Sequence, residues 1–167
     1  CHTSICPNHQ TGRTVPFKTR ADIAHLGATG YELDTTKITP EEIEEVKLQV
    51  EEYKEMQELV LEGDLYRLEN TFESNYFAQM IVSKDKSRAH ITVMRALCRP
   101  NDEHKRIFPR GLDKNAIYEV VNEEYELKMR LSGAAIMNVG LVINLKTLDQ
   151  KMPGDFKTFI FKLVKIA

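Results

Sequence analysis

Apolar residues recur at three- and four-residue steps through Ile43, Val46, Val50, Tyr53, Met56 and Val60, the spacing of one stripe along an α-helix. Glu44, Glu45, Glu51, Glu52, Glu55 and Glu58 fall mostly off that stripe. They read as a solvated face rather than as a carboxylate site, because glutamate is rarely buried without a partner. The start of the helix is written in Thr39-Pro40-Glu41-Glu42: a threonine N-cap, proline at the first helical position, and acids that complement the free amides of the first turn. Gly63 supplies the stop.

Beyond Gly63 the period shortens. Ala89, Ile91 and Val93 alternate with His90, Thr92 and Met94, which predicts a half-buried strand over 88–97, joined through a Lys84-Asp85-Lys86 turn to a strand over 76–82. Further strands are expected over 65–68, 106–108, 116–121, 126–131, 140–145 and 156–166, with a single helical turn over 132–138. Pro100-Asn101-Asp102 and Gly111-Leu112-Asp113 punctuate them. Many short strands between polar turns predict an antiparallel β-sandwich over 63–167. Before the long helix the pattern is sparser: a short strand over 1–5 that Pro7 ends, a helix over 20–26 closed by Gly27, and a strand over 28–34. The fold class is α+β overall, with a boundary at 62/63.

Composition narrows the function. Lys and Arg number 23 against 25 Asp and Glu, a net charge of -2. After Gly63 the basic residues outnumber the acids only 17 to 13 and are dispersed. That gives no groove for a polyanion and no general attraction to an anionic membrane, so neither nucleic acid nor membrane is expected as a partner. No apolar run approaches the roughly 20 residues needed to span a bilayer. Three scattered cysteines, Cys1, Cys6 and Cys98, form no disulfide framework, which points to a reducing, cytoplasmic setting. The chain opens on Cys1 rather than on methionine, as expected of a fragment.

Rare residue chemistry crowds into one stretch, Cys6-Pro7-Asn8-His9-Gln10-Thr11-Gly12-Arg13. Proline, glycine and several polar side chains together make a functional loop. Cys1, His2, Cys6 and His9 are four metal-ligand types within nine residues, but their spacing lacks the paired knuckles of a structural zinc site, and no metal is expected. A Cys/His nucleophilic pair has no identifiable base or oxyanion donors. Asp22, Glu32 and Asp34 are carboxylates that could pair for acid/base work, or simply end helices and strands. No phosphate-binding loop, dinucleotide fingerprint or nucleophile elbow occurs.

The segment from His2 to Arg13, followed by Pro16-Phe17-Lys18-Thr19-Arg20 and Gly27-Ala28-Thr29-Gly30-Tyr31-Glu32-Leu33-Asp34, resembles the C-terminal third of α-galactosidases of glycoside hydrolase family 36. The likeness continues into Gly63-Asp64-Leu65-Tyr66-Arg67-Leu68 and returns at Leu131-Ser132-Gly133 and Met137-Asn138-Val139-Gly140-Leu141. Thr3, Ile5 and Ala28 depart from the commoner pattern. The resemblance implies that residues 1–62 are the last β/α units of a (β/α)8 catalytic barrel and that 63–167 are the sandwich after it. It implies a retaining hydrolase of terminal α-galactosides such as melibiose or raffinose, without cofactor, whose two catalytic aspartates lie upstream of this chain. On that footing this stretch alone is inactive and contains no catalytic residue. Active sites of such barrels form at the carboxyl ends of the strands. Asn8 and His9 are therefore candidates for the substrate rim, or residues that only fix the loop through backbone hydrogen bonds. A homo-oligomer is expected. Two other functions fit the same residues: an accessory carbohydrate-binding sandwich, using Tyr and Phe in the absence of Trp, and a purely structural or oligomerisation domain.

Overall fold

A computed structural model describes residues 1–100, 105–123, 125–143 and 154–167. The chain divides into two compact units, Cys1–Glu62 and Gly63–Ala167. Taken together the elements are mixed α and β with an antiparallel main sheet.

In the first unit, β1 (Thr3–Ser4) and β2 (Tyr31–Glu32) pair in parallel, Thr3 opposite Tyr31 and Ser4 opposite Glu32. Between them runs α1 (Phe17–Ala24), and α2 (Pro40–Glu62) follows β2. α1 starts three residues before the expected Arg20, because Pro16 fixes a φ of -51° and hands the chain to the helix. Ala21 and Ala24 are buried in it and Leu26 lies beyond its end. α2 begins as the sequence dictates: Thr39 Oγ1 accepts from Glu42 N at 3.2 Å, and Glu42 Oε2 accepts from Thr39 N at 2.9 Å, a complete capping box. Val46, Val50, Tyr53, Met56 and Val60 lie on its half-buried side, while Ile43 at the start of the stripe is 39% exposed. Gln49 and Leu59 are the helix's buried residues. Gln49 is tolerated there because Tyr31 donates its hydroxyl to Gln49 Oε1 at 2.9 Å and Gln49 Nε2 donates to Glu45 at 3.0 Å. Burial, with Glu45 and Glu52 nearby, raises the Tyr31 pKa, so this phenol stays a donor.

The second unit is built on a six-stranded antiparallel sheet in the order β3 (Asp64–Glu69), β4 (Tyr76–Val82), β5 (Arg88–Arg95), β10 (Lys157–Lys165), β7 (Ile117–Asn122), β8 (Leu127–Ser132). β6 (Lys105–Ile107) and β9 (Leu141–Ile143) pair separately, and α3 (Gly133–Val139) leads into β9. Register places one apolar set on a single face: Met80 opposite Ile91, Ile91 opposite Phe161, and Leu163 opposite Val120. Ile107, Leu112, Ile136, Leu141 and Ile143 join the same core. Each fully buried aliphatic or aromatic side chain there contributes about 1.5–3 kcal/mol. β5 is buried more fully than alternation alone requires, since His90 and Thr92 are 8% and 0% exposed and hydrogen-bond each other at 3.1 Å. Residues 144–145 of the strand expected over 140–145, and Asn101 and Asp102 of the expected break, lie outside the described residues.

Two turns hold the sheet's connections. Asp85 Oδ1 accepts from Ser83 Oγ, Ser87 N and Ser87 Oγ at 2.6, 3.0 and 2.8 Å. Those bonds pull the Asp85 pKa down to about 2. The buried Tyr118 hydroxyl donates to Lys86 O at 2.8 Å and accepts from Asp113 N at 3.0 Å, fastening both turns to β7. No helix among the described residues is long and apolar enough to cross a membrane.

Candidate functional site

Because β1 and β2 are parallel, the residues that follow them leave the same side of the first unit. Ile5 and Cys6 follow β1, Leu33 and Asp34 follow β2, and the starts of α1 and α2 lie on that side too. They enclose a cleft of about 230 Å³, with Ile5, Phe17, Leu33 and Ile38 as apolar walls and Cys6, Arg20, Asp34, Lys37 and Glu42 as polar ones. In open parallel sheets ligands bind outside the carboxyl ends of the strands. This is where an α/β unit places its chemistry.

The 6–13 loop leaves β1 on this side and is built largely by one residue. The Cys6–Pro7 peptide is cis. Asn8 Oδ1 accepts from Gln10 N, Thr11 N and Thr11 Oγ1 at 3.1, 3.0 and 3.1 Å. The Asn8 backbone closes the turn as well, N–H to Arg13 O at 2.9 Å and carbonyl from Gly12 N at 2.8 Å. Gly12 takes a φ of 66°, the left-handed region open to glycine at little cost. Asn8 is thus half-buried and committed through its oxygen to the loop, whereas His9 and Gln10 are exposed and their side chains carry none of these bonds.

Arg20 fastens the base of the loop. Its Nε donates to Val15 O at 3.2 Å, its Nη1 donates to Ser4 O, and its guanidinium lies 4.7 Å from the Phe17 ring centroid. Cys6 Sγ donates to the same Val15 O at 3.6 Å.

The remaining sequence candidates are dispersed, each with its own partner. His2 Nε2 lies 3.0 Å from Glu32 Oε2, with both side chains exposed. Asp22, buried in α1, pairs with Lys18 at 2.6 Å. Asp34 Oδ1 accepts from Thr36 N and Oγ1 at 3.0 and 2.6 Å, and Oδ2 faces Lys37 at 3.1 Å. These bonds lower the Asp34 pKa and keep it ionised. Among the described residues no three His, Cys, Asp or Glu side chains gather as metal ligands, and the thiols of Cys1, Cys6 and Cys98 are free. One residue the sequence did not single out is His25, 4% exposed beside Tyr53 with ring centroids 5.3 Å apart. Burial lowers its pKa, partly offset by the charge of Asp22, and Lys18 lowers it further. Arg20 was also hidden: its carbonyl partners lie 5 and 16 residues away, and no periodicity reports such a contact.

Comparison with known proteins places these features. Residues 1–63 match the melibiase family model, and residues 76–163 match the glycosyl hydrolase family 36 C-terminal domain. The chain is 44% identical over 119 residues to α-galactosidase AgaA of Geobacillus stearothermophilus, covering 71% of this chain and 16% of that protein. It is 35% identical over 160 residues to α-galactosidase Mel36A of Lactobacillus acidophilus, covering 96% of this chain and 20% of that one. Among solved structures, the α-galactosidase from Lactobacillus brevis superposes with a TM-score of 0.90 at 32% identity, over 100% of this chain and 22% of the other. AgaA in complex with raffinose gives 0.89 at 35% identity, over 99% and 22%. The chain thus spans a fifth or less of the length of these curated relatives. With the melibiase and family 36 models matching its two units and its fold superposing on solved members, the chain belongs to glycosyl hydrolase family 36.

Proposed function

We propose that this chain is the C-terminal part of a retaining α-galactosidase that hydrolyses terminal α-galactosyl residues of oligosaccharides such as melibiose or raffinose. The observation that carries the reading is the likeness over 99% of the chain to an α-galactosidase whose crystal structure holds raffinose. Residues 1–62 are then the last β/α units of the (β/α)8 catalytic barrel, a reading supported by parallel β1 and β2 with a helix after each. Residues 63–167 are the sandwich that follows, with the six-stranded sheet as its main layer and the β6–β9 pair with α3 over the shared core.

Retaining hydrolysis needs two carboxyl groups roughly 5–5.5 Å apart, one a nucleophile and one a proton donor with a raised pKa. Asp22 is paired with Lys18, and Asp34 is held ionised by Thr36 and Lys37, the opposite of what a proton donor requires. On the family resemblance of the sequence both catalytic aspartates are assigned to residues upstream of Cys1, and the pairing of Asp22 and Asp34 is in keeping with that. The 6–13 loop becomes part of the substrate rim, with Asn8 shaping it and His9 offering an exposed imidazole. The parent enzyme is read as cytoplasmic, in keeping with three free thiols, and as a homo-oligomer.

Kinetics on a chromogenic α-galactoside test the assignment. The 167-residue chain alone is expected to show no turnover, and measurable turnover would refute the upstream placement of the carboxylates. In the full-length enzyme His9→Ala is expected to raise KM. An unchanged kcat/KM with a lowered Tm would reject the rim role, and sedimentation of the same enzyme as a monomer would reject the oligomer.

A further inference from the structure

We propose that Arg20 is the positioning residue of the substrate-rim loop, one guanidinium that ties both ends of the loop and thereby sets where His9 stands. This rests on the reading of the 6–13 loop as a rim. Ser4 is the last residue of β1 and Val15 the last before Pro16 caps α1, so these two bracket the loop. Arg20 donates to the carbonyls of both, Nη1 to Ser4 and Nε to Val15 at 3.2 Å. A planar fork holds two carbonyls with its donors fixed relative to one another; an ammonium has three rotatable donors on a flexible stem and fixes neither their direction nor their spacing. The competing tie, the Cys6 thiol to Val15 O at 3.6 Å, uses a weak donor, whereas bonds from an ionised group are roughly twice as strong as neutral ones.

The loop therefore has two fastenings. Asn8 knots the tip and Arg20 closes the base. Phe17, one turn before Arg20 on the same helix, carries the guanidinium on its ring 4.7 Å from the centroid, which limits where the fork can swing. Without the base tie the tip keeps its own turn but moves as a body, and every exposed group on it loses its place relative to the cleft.

The test uses the full-length enzyme carrying Arg20→Lys, with Arg20→Gln as a second variant that keeps a donor without the charge, and His9→Ala for comparison. Three quantities are read: KM and kcat on a chromogenic α-galactoside, Tm, and the rate of tryptic cleavage after Arg13, which is exposed in the loop. Expected for Arg20→Lys are faster cleavage after Arg13 and a KM raised about tenfold, with kcat within about twofold of the parent, the split that marks lost positioning for binding rather than lost chemistry. A fall in Tm with KM unchanged would mark a merely structural residue and overturn the proposal. Unchanged cleavage after Arg13 in both Arg20 variants would overturn it too. If His9→Ala raises KM while the Arg20 variants do not, the rim stands and the Arg20 assignment falls. If none of the three alters KM, the rim reading itself is wrong and the assignment falls with it.

Discussion

Gly133 opens α3, and adding one methyl group there separates two physical arguments of opposite sign. Helix propensity alone says that Gly133→Ala should stabilise by up to about 1 kcal/mol, because glycine loses the most backbone entropy on folding. The structure says otherwise. A Cβ on Gly133 would stand 2.0 Å from Asp113 O, 2.8 Å from Asp113 C and 3.2 Å from Tyr118 Cε2. The two obstructing atoms of Asp113 are backbone, and that backbone has little slack. Asp113 N is bonded to the buried Tyr118 hydroxyl, while Gly133 N donates to Ala116 O at 2.9 Å and Ala134 N to Lys114 O at 3.1 Å. Separating the two segments by the ångström or so that the methyl needs sacrifices those two backbone bonds, each worth about 0.5–1.5 kcal/mol net, and strains the core around Tyr118. Set against the propensity gain, the net destabilisation should be about 2–3 kcal/mol. Equilibrium urea unfolding followed by circular dichroism measures it. Ser132→Ala is the control: it removes only the N-cap bond from Ala135 N to Ser132 Oγ, 3.1 Å, and should cost about 1 kcal/mol. A Gly133→Ala chain as stable as the parent, or more so, would refute the close-approach argument.

His25 makes the first unit acid-sensitive. Its Nε2 is buried without a hydrogen-bond partner, and its folded pKa lies below the ordinary 6.5. The unfolded chain therefore takes up the proton first, so stability is intact above 6.5 and declines as the pH falls from there toward the folded pKa. His25→Phe, which keeps a ring against Tyr53, should flatten that part of the profile; matching slopes for the two proteins would rule it out. In hydrogen exchange the amides of Ile91 and Phe159, in central strands of the six-stranded sheet, should be the slowest, and those of Thr3 and Tyr31 much faster, since β1 and β2 are two residues long and, among the described residues, pair only with each other. Equal protection in the two units would contradict this.

How far the residues declared themselves depends on the range of the interaction. The α2 start was readable because a capping box is complete within four residues, and β4, β5 and β10 because alternation is local. The change of period at Gly63 is a local signal too. The helical turn expected over 132–138 is α3, Gly133–Val139, with Ser132 as its N-cap. Beyond the β4–β5 hairpin, which its Lys84-Asp85-Lys86 turn declared, strand partners were not readable. Nothing in Arg106 or Val142 says that they face each other, and the parallel pairing of β1 with β2 spans a whole helix. The burial of His90 and Thr92 escaped for a related reason: alternation tells which side of a strand is apolar, but not what comes to lie over the other side. At the candidate site the crowding of polar residues marked the loop. Which side chains fasten it, Asn8 within the loop and Arg20 at its base, needed the hydrogen bonds.

The position of β10 bears on how this protein is made. Residues 157–165 leave the ribosome after every other strand of their sheet, yet they occupy the seam between β5 and β7. During synthesis the β3–β4–β5 meander and the β7–β8 hairpin can each form, but each exposes an unpaired inner edge toward the place the last strand will take. Those edges are where nascent chains on one polysome would cross-pair. A message truncated just before Lys157 would leave two half-sheets with nothing to join them, so quality control should recognise such a product as unfolded rather than as slightly shortened.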